Sequence, residues 1–316
     1  MTSYAIRRIL IAIPTLFLTS VLIFLMVRLM PGNVIDYITQ GQGSIDPVQR
    51  HQMEHQIGLD QSYWEQYWHW IKGLVTGDMG KSLASTLPVG HTLRTAIPIT
   101  AEIVFLGLLI ALVVAVPLGI LSAVRPNSYA DFVSRVGALV GISIPNFWLA
   151  TLLLIFTSRV LGWVPPVSYI PPGKDLGQNL LQFLLPAISI SVFTLALLMR
   201  MIRATMLEVL GLDYVRTAKA KGLTPRRVVY RHAFRNALIP VVTIVGFQIG
   251  ALIAGSAIVE TIYGLPGVGY ILLQALHARD YTMIQDTTLF IAVVVITMNL
   301  LVDLLYGFID PRISLS

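Results

Sequence analysis

His51-Gln52-Met53-Glu54-His55 sets two imidazoles and a carboxylate at the spacing of the H-x-x-E-H zinc peptidases. On a helix His51 and His55 share one face and could grip one metal ion, and His69 and His91 follow in the same polar segment. No third ligand is identifiable and the surroundings are ordinary polar sequence, so a solvated helix face is the preferred reading, with no metal assigned. Gly77-Asp78-Met79-Gly80-Lys81-Ser82 looks like the end of a Walker A loop. The first glycine of that motif would have to stand at Val75, however, and no strand precedes it. It reads as a turn. Gly264-Leu265-Pro266-Gly267-Val268-Gly269 is glycine-rich but lacks dinucleotide-fingerprint spacing, and reads as a tight loop. Two carboxylates fall inside apolar segments, where charge is costly and by default functional. Glu102 is expected to meet water or a structural partner. Asp303 is expected to pair with Arg200 or Arg203.

Composition shows what must position these groups. Hydrophobic residues make up 55% of the 316 and charged residues 12%, against roughly 25% charged in soluble domains. With so little charge the chain could not cover its surface in water, and lipid must be its main solvent. The absence of cysteine excludes disulfides, cysteine-ligated metals and thiol nucleophiles. A spanning helix needs about 20 mostly apolar residues. Six candidates run from Ile9 to Leu29, Ile99 to Val124, Val136 to Leu161, Leu180 to Ile202, Leu238 to Val259 and Thr288 to Phe308. The first is too long for a signal-peptide core and lacks a cleavage site, so it is expected to remain. Lysine and arginine concentrate on one side. Arg7, Arg8, Arg125, Arg135 and a dense group between Arg200 and Arg235 would be cytoplasmic by the positive-inside rule, as would both termini. The net charge of +6 is explained by that bias rather than by nucleic acid. Residues 30–98 then form a small helical extracytoplasmic subdomain with Tyr63, Trp64, Tyr67, Trp68 and Trp70. Residues 1–29 form an arm, 99–310 a five-helix core with a loop at 203–236, and 311–316 a tail. In that loop Asp213 would cap a short helix ended by Gly222, and Thr224 a second one starting at Pro225.

The loop carries the most specific pattern. Arg216-Thr217-Ala218-Lys219-Ala220-Lys221-Gly222, followed by His232-Ala233-Phe234-Arg235 and Ile239-Pro240, resembles the EAA loop of ABC-importer permeases. The usual Glu-Ala-Ala is replaced by Arg216-Thr217-Ala218, as in the oligopeptide, dipeptide and nickel subfamily. Arg28-Leu29-Met30-Pro31-Gly32, Gly58-Leu59-Asp60, the Gly77–Ser82 block, Glu260 through Gly269, Arg279-Asp280-Tyr281 and Asp303 through Arg312 are similar to the same subfamily. The resemblance covers essentially the whole chain. It implies an all-α, six-span, type I importer permease in a bacterial inner membrane, importing peptides or similar solutes without catalysis of its own. It also implies a second homologous permease, two ATPase subunits that bind the ATP and magnesium, and an extracytoplasmic solute-binding protein. This chain itself would hold no cofactor. Residues 216–222 would contact the ATPase, and Glu102 and Asn146 would line the pathway. Nickel, a metallophore or glutathione are alternative cargoes of the same machinery. A metallopeptidase using His51, Glu54 and His55, or a proton-coupled carrier using Glu102 and Asp303, are rivals from other classes.

Overall fold

The long apolar runs fold as helices because a backbone in lipid must satisfy its own hydrogen bonds. In the computed structural model, which describes residues 2–32, 34–39 and 46–309, the order is α1 (Thr2–Arg28), α2 (Val34–Ile38), α3 (Pro47–Gln56), α4 (Tyr63–Thr76), α5 (Val89–Val124), α6 (Tyr129–Ser143), α7 (Asn146–Val160), α8 (Leu176–Leu210), α9 (Asp213–Ala220), α10 (Pro225–Arg227), a π-helical segment (Val228–Phe234), α11 (Arg235–Tyr263), α12 (Val268–Ala278) and α13 (Tyr281–Ile309). No strand occurs among the described residues. The expected tail, 311–316, lies outside them.

Among the described residues five helices are long and apolar enough to cross a membrane: Ile6–Arg28, Val89–Val124, Leu176–Leu210, Val241–Tyr263 and Tyr281–Leu304. The expected third span, 136–161, is not one straight rod. α6 and α7 meet at a 100° bend, and six spans result only if this pair is counted as one. The break falls at Ile144-Pro145, where both residues take extended backbone. Proline disfavours the α conformation in the residue before it and has no N–H to give, so the helix stops there. α5 and α8 outrun their apolar cores. At 36 and 35 residues they are about 54 and 52 Å long, well beyond a roughly 30 Å hydrocarbon layer. Hydropathy marks only the part of a helix that is apolar.

α5 and α8 form the central pair of the fold. Gly107, Ala111, Ala115 and Gly119 recur every fourth residue on α5, and all four are buried. This stripe of small residues brings the two backbones close, the usual means of helix association in lipid. A Cβ on Gly107 would lie 2.7 Å from Ile190 Cγ1, and one on Gly119 would lie 2.8 Å from Ile202 Cβ. α6, α7 and α11 pack around α8, while α13 packs chiefly against α1, α11 and α12.

That division corrects the expected ion pair. Asp303 Oδ2 meets Arg8 Nη1 at 3.0 Å, so it ties α13 to α1 rather than to Arg200 or Arg203 on α8. Arg200 is exposed. Arg203 turns the other way. Its Nε and Nη2 donate to Oδ1 and Oδ2 of Asp131 at 2.7 and 3.0 Å. Asp131 is fully buried. It also accepts from the Ser122 hydroxyl and, at 3.0 Å, from the Asn127 N–H. Four parts of the chain (the end of α5, the turn after it, α6 and α8) are thus joined at one carboxylate.

α4 and the turn that follows it pack against α1 and α13. Tyr67 and Ser20 hydroxyls are 2.9 Å apart, Arg28 Nε donates to Gln66 Oε1 at 2.7 Å, and Trp70 Nε1 donates to Asp286 Oδ1 at 2.6 Å. Asp280 begins α13 by accepting from Met283 N–H and also receives the Ser82 hydroxyl at 2.5 Å.

Candidate functional site

Between α8 and α11 the chain leaves the long helices and folds into α9, a two-turn helix. Leu212 is its N-cap and contributes no side-chain bond, so Asp213 is the first helical residue rather than the expected cap. Asp213 instead pairs with Arg216 at 3.2 Å on an exposed surface, a contact of little energetic weight. The other end matches the sequence. Gly222 has φ +75, its N–H donates to Lys219 O at 3.0 Å, and the Leu223 N–H reaches back to Ala218 O at 3.4 Å. That is a Schellman arrangement, which requires a left-handed residue at the position glycine holds. Thr224 and Pro225 then open α10 as expected, although the Thr224 side chain makes no capping bond.

The two faces of α9 differ in chemistry. Val215 and Ala218, three residues apart, are buried against Val228, with Val209, Leu210 and Leu223 packed around them. Arg216, Thr217, Lys219, Ala220, Lys221 and Gly222 are exposed. Ala218, expected among the contact residues, is instead buried. Its methyl group faces the chain's own core, so only the remaining six residues of 216–222 offer a free surface. Arg226, Arg227, Arg231 and Arg235 are exposed nearby, giving this end a strongly basic character. Tyr214 ties α9 to the next helix. Its hydroxyl donates to His232 O at 3.2 Å and accepts from Asn236 Nδ2 at 2.7 Å. α9 is therefore joined to α8 through Leu210 and to α11 through Tyr214.

The two expected pathway residues stand in different parts of the fold. Glu102 accepts from the Tyr169 hydroxyl and from Asn179 Nδ2, each at 2.9 Å. Burial, with the Glu102 carboxylate beside it, pushes the Tyr169 phenol up to about 12. Gln182 completes the cluster by donating to Pro166 O and Ser168 O and accepting from Ile170 N–H. Together these residues pin the 161–175 connection onto α5 and α8. Asn146 opens α7 at the bend and lies beside Gly255 of α11, whose Cβ, if present, would stand 3.6 Å from Asn146 Nδ2.

Glu260, which the sequence marks only as the start of a family-like block, is fully buried on α11. Oε1 accepts the Thr100 and Ser256 hydroxyls at 2.7 and 2.8 Å, and Oε2 accepts the Tyr270 N–H at 2.8 Å. Tyr270 lies in the first turn of α12, where unpaired N–H groups and the helix dipole favour a negative charge. The glycine-rich loop therefore does close over a carboxyl group, and that group is the chain's own Glu260. A side chain at Gly267 would strike it.

The remaining motifs resolve locally. Glu54 pairs with Arg50 at 3.1 Å and His55 with Asp60 at 2.6 Å, while His51 is exposed. The hydrogen bond from His55 holds the Asp60 carboxyl below its ordinary value. Among the described residues no group of three or more His, Asp or Glu could hold a metal ion. Gly77 is the left-handed end of α4, and Gly80 N–H donates to Asp78 Oδ1, so the Walker-like block is a turn.

The comparisons with known proteins agree with this architecture. Residues 1–104 match the family model for the N-terminal part of binding-protein-dependent transport system membrane components. Residues 115–315 match the one for the inner membrane component itself. The dipeptide transport system permease protein DppB of Alkalihalophilus pseudofirmus is 38% identical, over 99% of this chain and 100% of the relative. The protein of the same name from Escherichia coli K12 and the di/tripeptide permease DppB of Pseudomonas aeruginosa are also 38% identical, over 99% of both chains. A solved structure of the MetNI methionine ABC transporter in an inward-facing conformation aligns with a TM-score of 0.56 at 20% identity, over 69% of this chain and 96% of that one, which supports the fold alone. Full-length likeness to permeases and a helical bundle of the matching type lead to one conclusion: the chain belongs to the binding-protein-dependent transport inner-membrane components and is a non-catalytic, multi-pass permease subunit of an ABC importer.

Proposed function

We propose that this permease imports di- or oligopeptides, or solutes of similar size, and that the exposed face of α9 is where an ATPase subunit drives it. The observation that carries the cargo assignment is the end-to-end similarity to three permeases named for dipeptides or di/tripeptides. The lysine and arginine bias supports a cytoplasmic α9, cytoplasmic termini and an extracytoplasmic 30–98 segment. In that orientation a second homologous permease completes the pathway. A solute-binding protein delivers cargo from outside, and two ATPases hold ATP and magnesium.

The mechanism follows from the connections. Closure of the ATPases displaces α9 by its exposed residues Arg216, Thr217, Lys219, Ala220 and Lys221. Because Val215 and Ala218 lock α9 to the end of α8, and Tyr214 locks it to the start of α11, the helices move with it. The Asp131–Arg203 pair carries α5 and α6 along with α8. Such a block has two packings against its sister chain, inward-open and outward-open, and ATP binding biases the choice.

The test is reconstitution of the permease pair with its ATPases and binding protein in proteoliposomes, followed by uptake of labelled dipeptide. ATP-dependent accumulation is expected. Accumulation of nickel or glutathione, with none of peptide, would reassign the cargo while leaving the permease role intact.

A further inference from the structure

We propose that α4 lies in the lipid–water interface, with one of its flanks as a membrane-contacting surface, rather than standing clear of the bilayer in an aqueous subdomain. The flank is defined by helical geometry. At 100° per residue, Trp64, Trp68, Ile71 and Val75 fall within an arc of roughly 60°. Trp64, Trp68 and Val75 are 72%, 57% and 82% exposed, as much as Phe17 and Leu18 on the membrane-spanning part of α1 at 59% and 60%. Glu65, His69, Lys72 and Thr76 occupy the neighbouring arc and are also exposed. Tyr67, Trp70 and Leu74 lie on the packed side.

Depth identifies the occupant as lipid. Tyr67 holds Ser20, which lies eight residues before the end of α1, so the contact is about 12 Å along α1 from that end. Trp70 holds Asp286, five residues into α13 and so about 7 Å past its start. Both α1 and α13 include membrane-spanning segments. Gln66 meanwhile accepts from Arg28, the last residue of α1, so α4 itself lies at the level of the span ends while Tyr67 and Trp70 reach inward from it. An apolar flank turned away from the spans there meets headgroups and acyl chains. Aromatic contacts link the two surfaces: Phe24 of α1 meets Tyr67 edge-on at 5.4 Å, and Tyr67 meets Trp64 at 6.4 Å. Tryptophan beside charged residues is the composition that membrane interfaces select. The proposal rests on the chain's spanning a membrane and is independent of cargo and of α9.

The absence of cysteine makes the experiment direct. Spin labels would be attached to Trp64→Cys, Trp68→Cys, Val75→Cys, His69→Cys and Lys72→Cys, one at a time, in the assembled importer in liposomes, with partner subunits free of cysteine. Collision with oxygen, which partitions into lipid, is compared with collision with water-soluble nickel chelate. Labels at 64, 68 and 75 should favour oxygen, and those at 69 and 72 the chelate, so the ratio reverses across about one third of a turn. Each variant's assembly is checked by co-purification. Where a tryptophan variant fails to assemble, quenching of wild-type tryptophan fluorescence by brominated lipid supplies the second readout. Chelate access at 64, 68 and 75 equal to that at 69 and 72 would overturn the proposal. So would shielding from both reagents, which would mean that the sister chain or the binding protein covers the flank.

Discussion

Arg203→Ala is expected to destabilise the permease more than removal of both ion-pair partners together. Asp131 is fully buried, and Arg203, only 24% exposed, grips it with two parallel bonds. Deleting one member of a buried pair costs about 3–5 kcal/mol because the other charge is left without compensation. Arg135 stands 3.7 Å from Asp131 on the exposed side, and the Ser122 and Asn127 donors remain, so the lower end applies. A loss of about 3 kcal/mol is a more than 100-fold fall in the ratio of folded to unfolded protein. In the double variant Asp131→Leu with Arg203→Met no charge is stranded. Its cost comes from the buried Ser122 hydroxyl, which loses its acceptor, about 1–3 kcal/mol, since the exposed Asn127 N–H can turn to water. The assay is equilibrium unfolding of the permease in bicelles by steric trapping, on both singles and the double. A loss below about 0.5 kcal/mol for Arg203→Ala, or a double worse than that single, would refute the view that this pair binds α8 to α5 and α6.

Other perturbations have equally definite expectations. Gly107→Leu or Gly119→Leu should lower abundance and thermal stability, since each puts bulk where even a Cβ lies under 3 Å from α8; normal stability would refute the small-residue seam. Glu260→Ala leaves Thr100, Ser256 and Tyr270 N–H without their acceptor, about 1–3 kcal/mol for each group kept from water. Gly267→Ala should mimic it through collision, and both should be read by protease cutting of the 264–270 loop. Gly222→Val should cost about 1–2 kcal/mol through its left-handed backbone alone, because no atom lies within 4 Å of the new Cβ. Gly222→Asn should then retain uptake that Gly222→Val loses. His51→Ala with His55→Ala should leave peptide uptake unchanged, and lost uptake at normal abundance would revive a metal role.

Much of the fold is legible in apolar run length, and the left-handed glycine at 222 in local turn chemistry. What escaped was information carried by partners distant in sequence. Asp131 stands among charges that look like a solvated turn, and its partner Arg203 lies 72 residues away. Glu260 looks like the polar end of a span until Thr100 and the N-terminus of α12 close on it. Asp303 carries no local sign of which arginine it meets; the α8 arginines are candidates by charge, whereas packing puts α13 beside α1 and Arg8. Some missed features did have a local signal. The four-residue recurrence of Gly107, Ala111, Ala115 and Gly119 marks a close helix contact. The Val215–Ala218 spacing shows that Ala218 faces inward. Ile144-Pro145 signals the break that hydropathy averaging smoothed over.

Site-directed cross-linking from α9 tests the coupling assignment most directly. Thr217→Cys, Ala218→Cys and Ala220→Cys, each the only cysteine in the permease, would be treated with a short bifunctional reagent in membranes containing the complete importer. Cross-links to an ATPase subunit are expected from positions 217 and 220, with a yield that changes when ATP is added, and none from the buried position 218. No ATPase product from 217 or 220 in an intact complex would contradict the assignment of α9 as the coupling element.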